Sequence, residues 1–256
     1  MMNQGKIFAV GIGPGSLDLL APQAREVLER ADVVVGYRPY LDLLGDLIAD
    51  KEVISTGMRG EVARCQSAIA KARQGSMVVV VSSGDAGIYG MAGLLLELEE
   101  NEETPLMVEV VPGITAANAA AAALGAPLMN DFAVLSLSDW LTPLEEVKRR
   151  VKAVAAADLV CVLYNPQSRS RRELLPEVIN EFVGARGEST VVGTVRNAGR
   201  EGEECWIGNI SELPVAEVDM VTVVLIGNSR TAIINNRMVT RRGYQVTESN
   251  TSNEGV

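Results

Sequence analysis

Ser76-Met-Val-Val-Val-Val-Ser82, followed at once by Ser83-Gly-Asp-Ala-Gly-Ile-Tyr89, is the stretch from which the fold is read. Successive side chains of a strand point to opposite faces of its sheet. Four valines in a row therefore do not suit a strand with one wet face. They suit a strand covered on both sides, the condition of a parallel α/β sheet. The Gly-rich turn after them then stands at a strand's carboxyl end, where open α/β sheets place their ligands.

Working outward, strands and helices alternate. Lys6–Val10 and Asp32–Gly36 read as strands, with an amphipathic helix over Pro22–Arg30 between them and Pro in its first turn. Glu61–Arg73 has helical spacing, with Val62, Cys65, Ile69 and Ala72 on a shared face. Gly90–Glu100 reads as a helix, Met107–Val111 as a strand and Thr115–Leu124 as an Ala-rich helix. The alternation predicts an α/β fold with a mostly parallel N-terminal sheet. Gly125-Ala-Pro127 punctuates the chain, and a domain boundary is placed at about residue 130. Beyond it, strands fit Phe132–Leu137, Leu159–Tyr164, Thr190–Val195, Glu204–Ile207 and Met220–Ile226, and helices fit Pro143–Val154 and Arg171–Val183. The close spacing of the last strands predicts a mixed sheet in a second α/β domain over 131–244. The polar residues 245–256 are expected to be a disordered tail.

Composition narrows the chemistry. The 256 residues are 47% hydrophobic and 22% charged, ordinary values for a soluble protein. A net charge of −10 removes any general attraction for nucleic acid or an anionic membrane. Anions are then bound only by local arginines or helix N-termini. Cys65, Cys161 and Cys205 are far apart, and no CxxC pair suggests zinc or a disulfide framework. With no histidine, the Ser-His triads and His-ligated metals are excluded, so no protein-bound metal is expected. No leader segment or long apolar run is apparent, and a cytoplasmic location is expected.

Three turns stand where ligands are expected. Gly11-Ile-Gly-Pro-Gly15 follows the first strand, but Ser16 occupies the last Gly position of GxGxxG. No Lys follows as in a phosphate loop, and Gly36-Tyr37 stands where a dinucleotide fold ends its second strand on Asp or Glu. An NAD-binding oxidoreductase is accordingly disfavoured. Asp85 has two readings: it accepts hydrogen bonds from a ribose or amine, or it N-caps the following helix. Pro112-Gly-Ile-Thr-Ala116 starts the Ala-rich helix, with Thr115 either its N-cap or, beside small Ala116, part of a seat for a flat polar ligand.

In this order and at these distances, the three turns resemble the tetrapyrrole methylase family. The resemblance spans about residues 6–244. Gly36-Tyr-Arg-Pro-Tyr-Leu-Asp-Leu43, Ser55-Thr-Gly-Met-Arg-Gly-Glu61, Ser136-Leu-Ser-Asp139, Tyr164-Asn-Pro-Gln-Ser-Arg169, Val195-Arg-Asn-Ala-Gly-Arg200 and Val223-Val-Leu-Ile-Gly-Asn-Ser229 narrow it. Together they are similar to the branch that methylates carbon 17 of precorrin-3B, or of its cobalt-bearing counterpart, on the cobalamin route. The resemblance implies a two-domain α/β fold with S-adenosylmethionine in the interdomain cleft, a tetrapyrrole substrate and a homodimer. The cofactor contacts it implies are Gly84, Asp85, Ile88, Thr115, Ala116, Tyr164, Asn165, Asn197, Ala198 and Thr222. Gly13, Pro14 and Gly15 are implied to face the substrate.

Arg38, Arg59, Arg169, Arg196 and Arg200 lie inside the matching loops and suit a substrate rich in carboxylates, because the guanidinium fork binds them bidentately. One departure stands out. Met129-Asn-Asp-Phe132 replaces the family's usual Gly-His-Asp-Phe, so Asn130 is expected as a substrate contact in place of histidine. Methyl transfer from a sulfonium needs mainly alignment. The ring contraction implied by the resemblance also needs loss of a hydroxyl proton, for which Asp85, Asp131 and Tyr164 are the candidates. The alternatives are a sibling methylase acting at another carbon and a silent tetrapyrrole carrier.

Overall fold

The valine strand lies at the centre of a parallel sheet. The computed structural model describes residues 5–100, 102–168 and 171–244. Five strands, β1 (Lys6–Gly11), β2 (Val33–Tyr37), β3 (Glu52–Thr56), β4 (Met77–Ser82) and β5 (Val108–Val111), run in the order β3-β2-β4-β1-β5. All four neighbouring pairs are parallel. Register holds β4 to β1 from Lys6↔Met77 to Gly11↔Ser82, so both strands end level.

The four valines serve two cores, as their alternation requires. Val79 and Val81 join Phe8, Val10 and Val34 under α1 (Pro22–Arg30) and the segment that follows α2 (Arg38–Leu41). Val78 and Val80 join Ile7, Ala9, Val33 and Val35 under α3 (Glu61–Arg73) and α4 (Ala92–Glu99). None of the four is more than 1% exposed, and each such burial is worth about 1.5–3 kcal/mol. α1 begins with Pro22 at its first position, and α3 carries Glu61 in its first turn and Lys71 and Arg73 in its last, in keeping with the helix dipole. α5 (Ala116–Leu124) follows β5.

The chain divides into two compact units. The first runs to Ala123 and adds Val195–Cys205 and Val221–Val223; the second takes Leu124–Thr194, Trp206–Met220 and the chain from Val224. After β6 (Gly125–Ala126) come β7 (Phe132–Ser136), β8 (Val160–Tyr164), β9 (Val191–Arg196), β10 (Glu204–Asn209) and β11 (Thr222–Ile226). These last five form a sheet in the order β10-β9-β11-β8-β7. β7 pairs parallel with β8 and β11 antiparallel with β8, which is the mixed sheet expected. α6 (Leu144–Ala156) and α7 (Leu174–Arg186) pack on it through Val147, Val151, Leu175, Val178 and Phe182.

Several elements differ from the sequence reading. β3, Glu-Val-Ile-Ser-Thr, is an edge strand with mostly exposed side chains and carries no apolar signal. The hairpin of β12 (Thr231–Ile234) and β13 (Arg237–Thr240) turns on Asn235 and Asn236, both left-handed at φ 49° and 59°, as a two-residue hairpin loop needs. Val62 is 51% exposed, and Arg64 takes the inward position beside Cys65, Ala68 and Ala72. The helix read from Arg171 begins at Leu174, because Arg171 turns back to bond loop carbonyls. The tail 245–256 lies outside the described residues. No described helix is long and apolar enough to cross a membrane.

Arg186 ties the second unit together. Its side chain is 6% exposed. It donates to the carbonyls of Val154 (2.7 Å), Ala155 (3.1 Å), Leu159 (2.9 Å) and Gly227 (2.7 Å). Two of these carbonyls end α6, where helical partners run out. Burial pulls its pKa down, and Asp158 opposes the shift. Arg186→Ala removes all four donated bonds and is expected to cost about 3 kcal/mol or more by urea denaturation. A loss below about 1 kcal/mol would contradict this role.

Candidate active site

Because the strands of the first sheet run parallel, their carboxyl ends share one edge. The turns after β1, β4 and β5 meet there. Gly13 donates to the Gly84 carbonyl at 3.0 Å, and Gly84 returns a bond to the Gly13 carbonyl at 2.7 Å. The approach leaves no room for side chains. A Cβ on Gly113 would lie 2.2 Å from the Gly84 carbonyl oxygen, and one on Gly11 would lie 2.7 Å from the Gly113 nitrogen. Glycine at these two positions is a packing requirement.

Asp85 locks two of the turns. One carboxylate oxygen accepts from Gly87 N at 2.8 Å, and the other accepts from Gly113 N at 2.9 Å. The helix-capping reading of Asp85 is therefore wrong. α4 begins at Ala92 with Met91 as its N-cap, and the acid spans the turns instead. Ser82 Oγ accepts from Met91 N at 3.0 Å and fixes the far end of the same loop. Between them Tyr89 is held at φ 54°, a costly conformation for an aromatic residue, of the kind that collects at functional sites. Ile88, Tyr89 and Ile114 are exposed beside these polar turns. Thr115 precedes α5, and its carbonyl accepts from Asn118 N and Ala119 N.

A fourth turn joins them from Val195–Cys205. Arg200 Nε donates to the Pro14 carbonyl at 2.6 Å, and Nη2 donates to Ser83 Oγ at 2.9 Å. Its alkyl chain fills the space over Gly15, and Ser16 N donates to the Gly199 carbonyl at 2.8 Å. Asn197 turns left-handed at φ 53°, beside buried Ala198, and its N–H bonds the Val221 carbonyl next to buried Thr222. The structure thus brings Gly13, Pro14, Gly15, Gly84, Asp85, Thr115, Asn197, Ala198 and Arg200 into one set of turns.

Arg38 pairs with Asp42 at 2.8 Å on the exposed face of α2. Arg59 is exposed in a left-handed turn after β3, at φ 64°. Arg196 lies 3.8 Å from Glu204. In the second unit, Tyr164 ends β8, and Asn165 follows at φ 50° with its amide donating to Ser136 Oγ at 3.0 Å. Asn130 Oδ1 accepts from Asp131 N at 3.1 Å, with Asp131 exposed. Arg169 lies outside the described residues.

Four side chains were not singled out from the sequence. Ser83 and Tyr40 are ordinary loop residues on paper; burial raises the pKa of the Tyr40 hydroxyl, and Arg200 opposes that. Arg171 holds the Asn165 turn through the Asn165 and Leu137 carbonyls. Arg64 is inward-facing on a helix whose apolar stripe hid it. Burial pushes the Cys65 thiol up to about 11 and that of Cys161 up to about 12, which leaves neither an activated nucleophile. Among the described residues no cluster of Cys, Asp and Glu suits a metal ion. A hollow in the second unit, lined by Asp158, Arg186, Thr190 and Ser229 among others, holds none of the expected residues. Its polar groups serve each other: Asp158 accepts from Ser229, and Arg186 is committed to carbonyls.

The chain matches the tetrapyrrole (corrin/porphyrin) methylases over residues 6–214 and belongs to that family of methyl-transferring enzymes. A probable cobalt-factor III C(17)-methyltransferase of Salmonella typhimurium is 45% identical over 238 residues, spanning 93% of this chain and 99% of the relative. A precorrin-3B C(17)-methyltransferase of a Sinorhizobium species is 36% identical over 233 residues, spanning 90% and 91%. The crystal structure of the methyltransferase CobJ superposes with a TM-score of 0.88 at 33% identity, covering 93% of this chain and 100% of that one. The α/β class and the family resemblance read from the loops both hold.

Proposed function

We propose that the chain transfers a methyl group from S-adenosylmethionine to carbon 17 of precorrin-3B, with contraction of the macrocycle to precorrin-4 in cobalamin biosynthesis. The cobalt-bearing counterpart, cobalt-factor III, is the alternative substrate, supported by the name of the 45% identical relative as precorrin-3B is by that of the 36% identical one. The observation that carries the proposal is the agreement between these near-full-length likenesses and the strand-end turns.

The turns fit the methyl donor chemically. Side-chain-free backbone at Gly84 and Gly113 allows close approach, Ile88 and Ile114 offer apolar surface, and Thr115 and Thr222 carry hydroxyls. Gly84, Asp85, Ile88, Thr115, Ala116, Asn197, Ala198 and Thr222 are proposed to hold it, and the family resemblance adds Tyr164 and Asn165. When bound, S-adenosylmethionine supplies an electrophilic methyl group on a sulfonium. The protein's part is to align that group with the reacting carbon, an effect worth up to about 7–11 kcal/mol. No histidine or thiolate is needed for this step. Asp85, which also accepts from two backbone amides, Asp131 and Tyr164 are the proposed candidates for the hydroxyl proton lost in ring contraction. Gly13, Pro14, Gly15, Asn130 and the arginines of the loops are proposed to meet the substrate. The same reading proposes a cytoplasmic homodimer.

Incubation with S-adenosylmethionine and either metal-free or cobalt-bearing substrate, read by mass spectrometry, is expected to show one methyl group gained on one of the two. No mass change with either would refute the proposal. In calorimetry, Asp85→Ala is expected to weaken S-adenosylmethionine binding about 10- to 100-fold, because it frees the turns that carry Gly87 and Gly113. Unchanged affinity would remove Asp85 from the site.

A further inference from the structure

Arg64 is only 4% exposed and carries a full positive charge. Its Nε donates to Thr56 Oγ1 at 3.0 Å, at the end of β3, and Nη2 donates to the Gly57 carbonyl at 3.2 Å. Nη1 meets Met91 Sδ at 3.5 Å, and the guanidinium lies 6.0 Å from the Tyr37 ring centre, at the end of β2. Among the described residues no carboxylate pairs with it. A buried cation without a paired anion is costly, so its presence calls for something that depends on it.

What depends on it is the turn Gly57–Gly60. There Arg59 adopts φ 64°, in the left-handed region that long side chains avoid. Such a conformation persists only where its surroundings enforce it. Arg64 holds the carbonyl and hydroxyl that begin this turn, and its own N–H bonds the Gly60 carbonyl at its end, at 2.9 Å. Tyr37, under the same guanidinium, immediately precedes Arg38. We propose that Arg64 is a positioning residue for substrate recognition: it fixes the turn that presents Arg59 to a carboxylate of the tetrapyrrole. This rests on the reading that Arg59 meets the substrate.

The test is a double-mutant cycle on the full chain, with kcat and KM for the tetrapyrrole and calorimetry for S-adenosylmethionine. Arg64→Met keeps length and apolar contact with Met91. It is expected to raise KM about 10- to 100-fold, the loss of one charge-assisted contact. kcat is expected to stay within roughly threefold and S-adenosylmethionine affinity to be unchanged. Arg59→Ala is expected to raise KM similarly, and the double variant no further than either alone. Arg64→Lys should not rescue, since a point-like ammonium lacks the planar fork that spans Thr56 and Gly57. If Arg64→Met does not fold, Thr56→Val removes one of the contacts and should raise KM in the same direction.

Additive effects on KM, or a parallel loss of S-adenosylmethionine affinity, would overturn the positioning role while leaving Arg59 as a substrate contact. An unchanged KM in Arg59→Ala would instead overturn the underlying reading, and the proposal with it.

Discussion

The site depends on a carboxylate that bonds to backbone. Asp85 accepts one amide from its own turn and one from the turn after β5, which lies beyond β1 in the sheet. Those turns stand close enough to be joined only because Gly11 and Gly113 have no side chains to separate them. The parallel sheet supplies the coincidence of strand ends, and the glycines remove the obstacle. Asp85 then fixes the result, and Arg200 ties in the first turn and a fourth from much later in the chain. Loss of any member would loosen the rest, since each turn is held mainly by its neighbours.

How much of this was legible in the sequence follows from which interactions are local. Val78–Val81 announced a strand buried on both faces, and both cores claim them. The limits of α1 and α3 were legible because Pro placement and end charges are local signals. β3 was not, because an exposed edge strand needs no apolar alternation. The Asn235-Asn236 hairpin carries a turn signal, but its short strands follow a stretch already assigned. At the site, positions were legible and partners were not. Asp85 was placed correctly at a strand end, yet its bond to Gly113 crosses 28 positions of sequence. Arg200 was expected near the substrate, and its bonds to the Pro14 and Ser83 turns have no local signal in the sequence. Arg64 and Arg186 are long-range ties that no periodicity reveals.

The chemistry agrees with what the composition leaves out. A chain with no histidine and a net charge of −10 lacks the commonest general base and any general attraction for anions. It is well suited to a reaction whose leaving group is already activated, such as methyl transfer from a sulfonium. Carriers of positive charge in the first unit are accordingly divided in role. Arg200 and Arg64 hold turns, while Arg38 and Arg59 stand exposed at the strand ends.

The most direct test of this account is hydrogen–deuterium exchange with and without S-adenosylhomocysteine. The account predicts joint protection of peptides covering Gly84–Tyr89, Pro112–Ala116 and Asn197–Arg200, and none around Asp158 and Ser229. Protection confined to other segments, or none on addition of the ligand, would contradict the placement of the methyl donor at the joined turns.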